Sequence, residues 1–138
     1  MEKENPKVYF GRPASLYGTP LEKKLIRIIT NIFSHYALED PSLLHHQEGY
    51  KKCKAERSDG DGMMYFLQDV IPKMSAGVFT PFEDGMFGAG VFREAEELSK
   101  YTHMVYELRQ DGIMSAWSRD LARRLSVEET RERVYGKE

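Results

Sequence analysis

The sequence predicts an α/β fold with a mostly parallel sheet of about five strands, in a single domain that spans residues 1–138. The chain has 138 residues, of which 41% are hydrophobic and 30% charged, and this size suits one hydrophobic core. Short β-favouring segments alternate with segments whose apolar residues recur at helical spacing. The first strand leads through a turn into an amphipathic helix, as is typical of an α/β unit.

The first of these units begins with Val8-Tyr9-Phe10, which predicts a buried strand that enters a loop at Gly11-Arg12-Pro13. The clearest helix of the sequence follows it. Thr19 and Glu22 have the spacing of a capping box at its start. The apolar residues at helical spacing are Leu21, Leu25, Ile28, Ile29, Ile32, Phe33 and Tyr36.

The middle of the chain has a weaker pattern. A short strand is predicted near Leu38, and the scattered apolar residues from there to Gly62 predict a mobile segment. Helical spacing then returns, and Pro72 is expected to kink or restart that helix. The residues at this spacing are Met63, Leu67, Val70 and Met74. This helix leads into a predicted core strand over residues 76–80.

The last third of the chain predicts two further strands and two helices. A glycine-rich loop over residues 81–90 precedes a helix from about residue 91 to 101. A strand over 104–108, a turn over 110–112 and a strand or extended segment over 113–117 follow. Ser126 and Glu129 then form a second capping box, which opens a closing helix of mostly charged residues.

Composition excludes several classes of function. With 20 Lys and Arg residues against 22 Asp and Glu residues, the net charge is -2, so we expect no nucleic-acid partner. No apolar stretch approaches the roughly 20 residues of a membrane span, and the first five residues lack an apolar signal core. The sequence therefore predicts a cytoplasmic protein without a membrane partner.

Known cofactor and metal motifs are also missing from the sequence. The four histidines do not match H-E-x-x-H or a similar ligand spacing, so no metal site is predicted; they are His35, His45, His46 and His103. Gly88 and Gly90 do not complete a dinucleotide-binding or P-loop motif. We therefore expect no cofactor.

Two loops are the candidates for a binding site, because ligands of parallel sheets bind at the carboxyl ends of the strands. These are the loop over residues 11–18 and the loop over residues 81–90. Glu94 lies one turn into the helix after the second loop and projects only about 60° from the middle of its apolar stripe. It therefore borders buried surface, where either protonation state can serve catalysis. Helix capping alone also explains an acidic residue at this position.

Several segments resemble the nucleoside 2-deoxyribosyltransferase superfamily, which includes nucleoside and nucleotide N-glycosidases. The segment from Val8 to Pro13 resembles the family's opening strand and loop. Asp84-Gly85-Met86-Phe87-Gly88-Ala89-Gly90 with Glu94-Ala95 resembles its Asp, glycine-rich turn and helix-borne Glu. Residues 113–117 resemble a segment after the last core strand of some members. The resemblance implies a flavodoxin-like or Rossmann-like three-layer sandwich and a homo-oligomer.

The same resemblance implies cleavage or transfer at the N-glycosidic bond of a small-molecule nucleoside or nucleotide. Glu94 would be the nucleophile that attacks the anomeric carbon. Tyr9 would orient Glu94, and Asp84 would contact the sugar hydroxyls. Gly11 and Gly88 would allow the ligand to approach the backbone closely.

Two further residues are candidates for ligand contacts, and both leave alternatives open. Arg12 could contact a phosphate, or its guanidinium could simply be solvated. Asp69 is the nearest match to an Asp that contacts or protonates the base in the family, but it is offset from that position, and Ser75 replaces a second Asp. A non-catalytic nucleotide or nucleotide-sugar binding module of the same fold is therefore the alternative. A purely structural subunit, with the helix after Ser126 packed on a neighbouring chain, is a third.

Overall fold

A five-stranded sheet forms the centre of the computed structural model, which describes residues 5–136. Its strands are β1 (Lys7–Gly11), β2 (Ala37–Glu39), β3 (Ala76–Phe79), β4 (Val105–Leu108) and β5 (Met114–Ala116). Their order is β2-β1-β3-β4-β5, and only the β4–β5 pair is antiparallel. This confirms the predicted α/β fold with a mostly parallel sheet, in the strand order of flavodoxin-like folds. Residues 1–4, where no signal core is predicted, lie outside the described residues.

Four helices flank this sheet and make it the middle of three layers. They are α1 (Pro20–Ile32), α2 (Leu44–Glu56), α3 (Ala89–Leu98) and α4 (Val127–Tyr135). The predicted capping box of α4 is confirmed, because the Ser126 and Glu129 side chains each bond the other residue's backbone N–H. Within residues 5–136, none of the helices has the length and apolar character that a membrane crossing requires.

Alternation along β1 sends its side chains to two separate apolar clusters. Val8 and Phe10 pack with Leu25 and Ile29 of α1 on one face of the sheet. Tyr9 points to the other face, where it packs with Phe92 and other residues of α3. Successive residues of a strand face opposite sides, so a tyrosine in the middle of β1 is placed beneath α3. Tyr9 thereby reaches the candidate site on the α3 side of the sheet.

The prediction of a mobile segment before Gly62 is wrong, because thirteen of its residues form α2. Most side chains of α2 are polar and exposed, and its apolar residues form no stripe, so periodicity could not detect it. The helix is held by close packing of tyrosine rings on glycines. A Cβ on Gly49 would lie 2.4 Å from the Tyr65 ring, so only glycine allows this approach.

The helix predicted over residues 63–74 is present as one helical stretch over residues 64–73, but most of it is not a regular α-helix. A π-helical turn spans Phe66–Val70 and a 3-10 turn spans Ile71–Lys73. Pro72 lies in the first turn of the second segment, where its missing N–H does no harm, so the expected restart at this proline is confirmed.

Candidate active site

The main candidate site lies where β1 and β3 end side by side. These neighbouring strands are parallel, with Gly11 paired to Phe79, and their chains leave on opposite faces of the sheet. α1 follows β1 on one face, and α3 follows β3 on the other. Such a switch point opens a crevice at the carboxyl ends of the strands, and a cavity of about 300 Å³ lies there.

Six aromatic side chains contribute to the wall of this cavity. They are Tyr9 of β1, Tyr17 of the loop after β1, Tyr50 of α2, Phe66 of the π-helical turn, Phe82 of the loop after β3 and Tyr135 of α4. Among the described residues, Glu94 is the only carboxylate in the lining. The cavity therefore combines flat apolar surfaces with one acidic group.

Glu94 projects inward from α3 and is only 5% exposed. The Tyr9 hydroxyl donates a hydrogen bond to its Oε2 atom. A Cβ on Gly11 would lie 3.2 Å from Oε1 and 2.7 Å from the Phe79 ring, so a larger residue would crowd the carboxylate. The helical position predicted from the apolar stripe of α3 thus places Glu94 beside both Tyr9 and Gly11.

The surroundings of Glu94 favour its neutral form. Burial raises the pKa of Glu94 to about 8, although the Tyr9 hydrogen bond and the charge of Arg12 act to lower it. Burial also raises the pKa of Tyr9 well above its ordinary value, and the neighbouring Glu94 adds to this increase. At neutral pH the carboxyl group therefore binds a proton for most of the time, and it becomes an anion at mildly alkaline pH.

Arg12 lines the same cavity, but its guanidinium is occupied by protein groups. Its Nε donates to Glu22 Oε2 at 2.8 Å and its Nη2 donates to Asp40 Oδ1 at 3.0 Å. The guanidinium also lies over the rings of Phe10 and Tyr17. The structure therefore shows Arg12 as a buried link between α1 and the loop after β2.

Because the Glu22 side chain binds Arg12, it does not complete the predicted capping box with Thr19. Thr19 accepts a hydrogen bond from the Glu22 backbone N–H, as expected. The Glu22 carboxylate, however, binds Arg12 and accepts from the Gly18 N–H at 3.0 Å, so it does not return to Thr19. Only half of the first capping box is formed.

Replacing Arg12 by Met is expected to lower the free energy of unfolding by about 3 kcal/mol, because Glu22 and Asp40 lose their buried cation. Urea unfolding measures this loss. Arg131→Met removes an exposed arginine from the same cavity and is expected to change stability by less than about 0.5 kcal/mol. Equal stability of the two variants would contradict the structural role of Arg12.

Two of the predicted ligand residues lie outside this cavity. Asp84 is exposed, accepts from the Met86 N–H and forms an ion pair with Arg133 of α4 at 2.8 Å. Asp69 is exposed in the π-helical turn. The structure does bring together the other five predicted residues, which are Tyr9, Gly11, Arg12, Gly88 and Glu94.

Sequence reasoning missed the contribution of α4. This helix contributes Thr130, Arg131 and Tyr135 to the cavity wall, and Thr130 Oγ1 accepts from the Ala89 N–H at the start of α3. Its mostly charged sequence shows no apolar stripe that would have predicted its packing against α3. Met63 and Phe66 line the cavity too, and Phe66 also belongs to the apolar core.

A larger cavity, of about 600 Å³, lies beside the ends of β3 and β4. Four of its six charged residues are already paired with one another. Arg123 donates to both carboxylate oxygens of Glu107, at 2.8 and 2.5 Å, and Arg109 pairs with Asp111. We therefore place the candidate chemistry in the smaller cavity, where Glu94 is buried among aromatic rings.

Comparisons with known proteins identify no relative. The chain matches no protein-family model, no curated protein and no solved structure. The geometry of the cavity and the short motifs in the sequence are therefore what points to a function.

Proposed function

We propose that this protein cleaves or transfers at the N-glycosidic bond of a nucleoside or nucleotide, with Glu94 as the carboxylate that reacts with the sugar. The observation that carries the proposal is the buried Glu94 carboxyl group, bound by Tyr9 inside a cavity at the switch point of the sheet. Buried titratable groups with shifted pKa values in a cleft are typical of catalytic sites.

The chemistry requires a carboxylate close to the anomeric carbon. As the C–N bond breaks, positive charge develops on the sugar, and the base leaves with the bonding electron pair and takes up a proton from water. The Glu94 carboxylate then forms a covalent ester with the anomeric carbon. Water releases the sugar in hydrolysis, whereas a second base releases it in transfer. Tyr9 binds Oε2, which leaves Oε1 for the sugar.

The lining of the cavity supports a substrate with a flat ring. Tyr17, Tyr50 and Phe66 offer aromatic surfaces on which a base could stack, and base–aromatic stacking is worth about 1–3 kcal/mol per base. The volume of about 300 Å³ lies at the lower end of small-molecule sites. These features favour a single nucleoside or nucleotide over a polymeric substrate.

Incubation with a panel of nucleosides and nucleoside 5′-monophosphates tests the proposal, with and without a second free base. Chromatography measures the released base. Release without a second base indicates hydrolysis, and formation of a new nucleoside indicates transfer. Absence of both reactions over long incubation would contradict the proposed activity.

The alternative is a non-catalytic module that binds a nucleotide or nucleotide sugar in the same cavity. One observation favours it: no second carboxylate of the described residues reaches the cavity to protonate a leaving base, and Asp69 is exposed outside it. In that case the same ligands would raise the melting temperature while no base is released. A thermal-shift measurement on the same panel therefore separates the two functions.

Replacing Tyr9 by Phe is expected to move the pH profile of turnover to higher pH. The reactive form of Glu94 is the anion, and the Tyr9 hydrogen bond lowers the pKa of Glu94. Loss of a hydrogen bond to a charged group corresponds to roughly a tenfold decrease of turnover at neutral pH. Rates measured across the pH range with Tyr9→Phe and the wild type check this shift.

The matched control for this substitution is Tyr106→Phe. Tyr106 packs with the apolar cluster on the opposite face of the sheet, so its hydroxyl is remote from the cavity. Its variant is expected to retain the wild-type pH profile. A similar shift in both variants, or none in either, would contradict a direct effect of Tyr9 on Glu94.

A further inference from the structure

A second group of titratable side chains lies at the end of β2, outside the cavity. Glu39 is the last residue of β2, and His45 and His46 lie in the first turn of α2. One ligand atom from each of the three side chains lies within 4.8 Å of the other two. The loop of residues 40–43 brings the two elements together, so Glu39 lies beside the two adjacent histidines.

The orientation of His46 in this group is fixed from both sides. Its ring is 5% exposed, its Nδ1 is 2.8 Å from the Tyr65 hydroxyl, and its Nε2 is 2.6 Å from Glu39 Oε2. In metal-binding histidines, one ring nitrogen binds the ion and the other is usually hydrogen-bonded to an outer-shell partner. Here Nε2 faces the second ligand, Glu39, and Nδ1 faces Tyr65. Tyr65 therefore occupies the position of an outer-shell partner.

The other two ligands differ in access to solvent. His45 is exposed and its ring centroid lies 3.9 Å from that of His46, so it can turn toward an incoming ion. Glu39 is partly buried, and its Oε1 lies 3.9 Å from Lys7 Nζ, while Oε2 faces His46. The cluster thus has a fixed inner part and an open side.

We propose that Glu39, His45 and His46 bind one Zn²⁺ ion, with a water molecule as the fourth ligand. Two imidazoles and one carboxylate are a donor set that zinc accepts in tetrahedral geometry, at about 2.0–2.2 Å from each ligand. The ion takes the place of a proton between His46 Nε2 and Glu39 Oε2, and the neutral imidazole carries its one ring proton on Nδ1, which faces the Tyr65 hydroxyl. Motif spacing could not predict the site, because Glu39 belongs to a different element from the histidines.

The position of this site links it to the cavity wall. α2 carries Gln47 and Tyr50, and Phe66 follows Tyr65 directly; all three of these residues line the cavity. A bound ion would fix α2 to the end of β2 and, through His46 and Tyr65, to the turn that carries Phe66. The ion would therefore stabilise one wall of the cavity, and the site does not depend on the proposed reaction.

Titration calorimetry of the untagged, chelator-treated chain with ZnCl₂ tests the proposal. We expect one Zn²⁺ per chain and a rise of several degrees in the melting temperature at saturation. His45→Ala is the main variant, because an exposed ring can be removed without disturbing the fold, and it should weaken binding at least tenfold. Tyr65→Phe should weaken binding by roughly tenfold, as for other outer-shell partners.

The matched controls are His35→Ala and His103→Ala, which remove exposed histidines outside the cluster. Both should bind zinc as the wild type does. Circular dichroism of all variants verifies that their folds are unchanged. Equal affinities for His45→Ala and the controls, or no binding of Zn²⁺ at micromolar concentration by the wild type, would overturn the proposal and leave His46 and Glu39 as a simple hydrogen-bonded pair.

Discussion

Glu94→Gln is expected to reduce base release or base exchange by at least about a thousandfold, because an amide cannot supply the nucleophilic oxygen. The substitution preserves the shape of the side chain and its ability to accept from Tyr9. Binding of the substrate should therefore change much less than turnover. Single-turnover measurements with enzyme in excess over substrate separate the two effects.

Glu97→Gln is the matched control for this experiment. Glu97 lies on the same helix, but its side chain forms an ion pair with Lys100 away from the cavity. We expect its turnover to remain within about twofold of the wild-type value, since surface substitutions of this kind have small effects. Wild-type turnover in Glu94→Gln would exclude Glu94 as the nucleophile, even if the protein does release free base.

The strands and α3 were predictable because their residues carry periodic signals. The β-favouring segment around Tyr9 and the apolar stripe of α3 each identify an inward face. Glu94 was expected to border buried surface for that reason, and the structure buries it. Periodicity thus predicted the burial of Glu94, whereas its pairing with Tyr9 was implied only by the resemblance to the nucleoside 2-deoxyribosyltransferase superfamily.

The remaining wall of the cavity could not be predicted because it depends on contacts that are distant in sequence. Tyr50 belongs to a helix without an apolar stripe, and Tyr135 belongs to a helix of mostly charged residues. Asp84 is the opposite case: its motif predicts a ligand contact, whereas in the structure Arg133 of α4 binds its carboxylate at the surface. Only the packing of α4 reveals this ion pair and the position of Tyr135 in the cavity wall.

The second large effect is expected in the pH dependence of stability and requires no substrate. The pKa of Glu94 is about 8 in the folded protein and near its ordinary value of 4.5 in the unfolded chain. Between these values the folded state binds a proton that the unfolded state has released, so stability decreases as the pH rises. The contribution is complete below about pH 4.5 and lost above about pH 8, and it is on the order of 5 kcal/mol.

Glu94→Gln removes this titration, because the amide stays neutral at every pH. The variant should match the wild type in urea unfolding near pH 5 and become increasingly more stable than the wild type toward pH 9. Glu97→Gln, on the exposed side of α3, should instead follow the wild-type pH dependence. If the stability difference between Glu94→Gln and the wild type stayed constant across this range, the carboxyl group would titrate alike in both states. The cavity would then hold an ordinary, solvated carboxylate, and the electrostatic basis of the proposed reaction would be removed along with it.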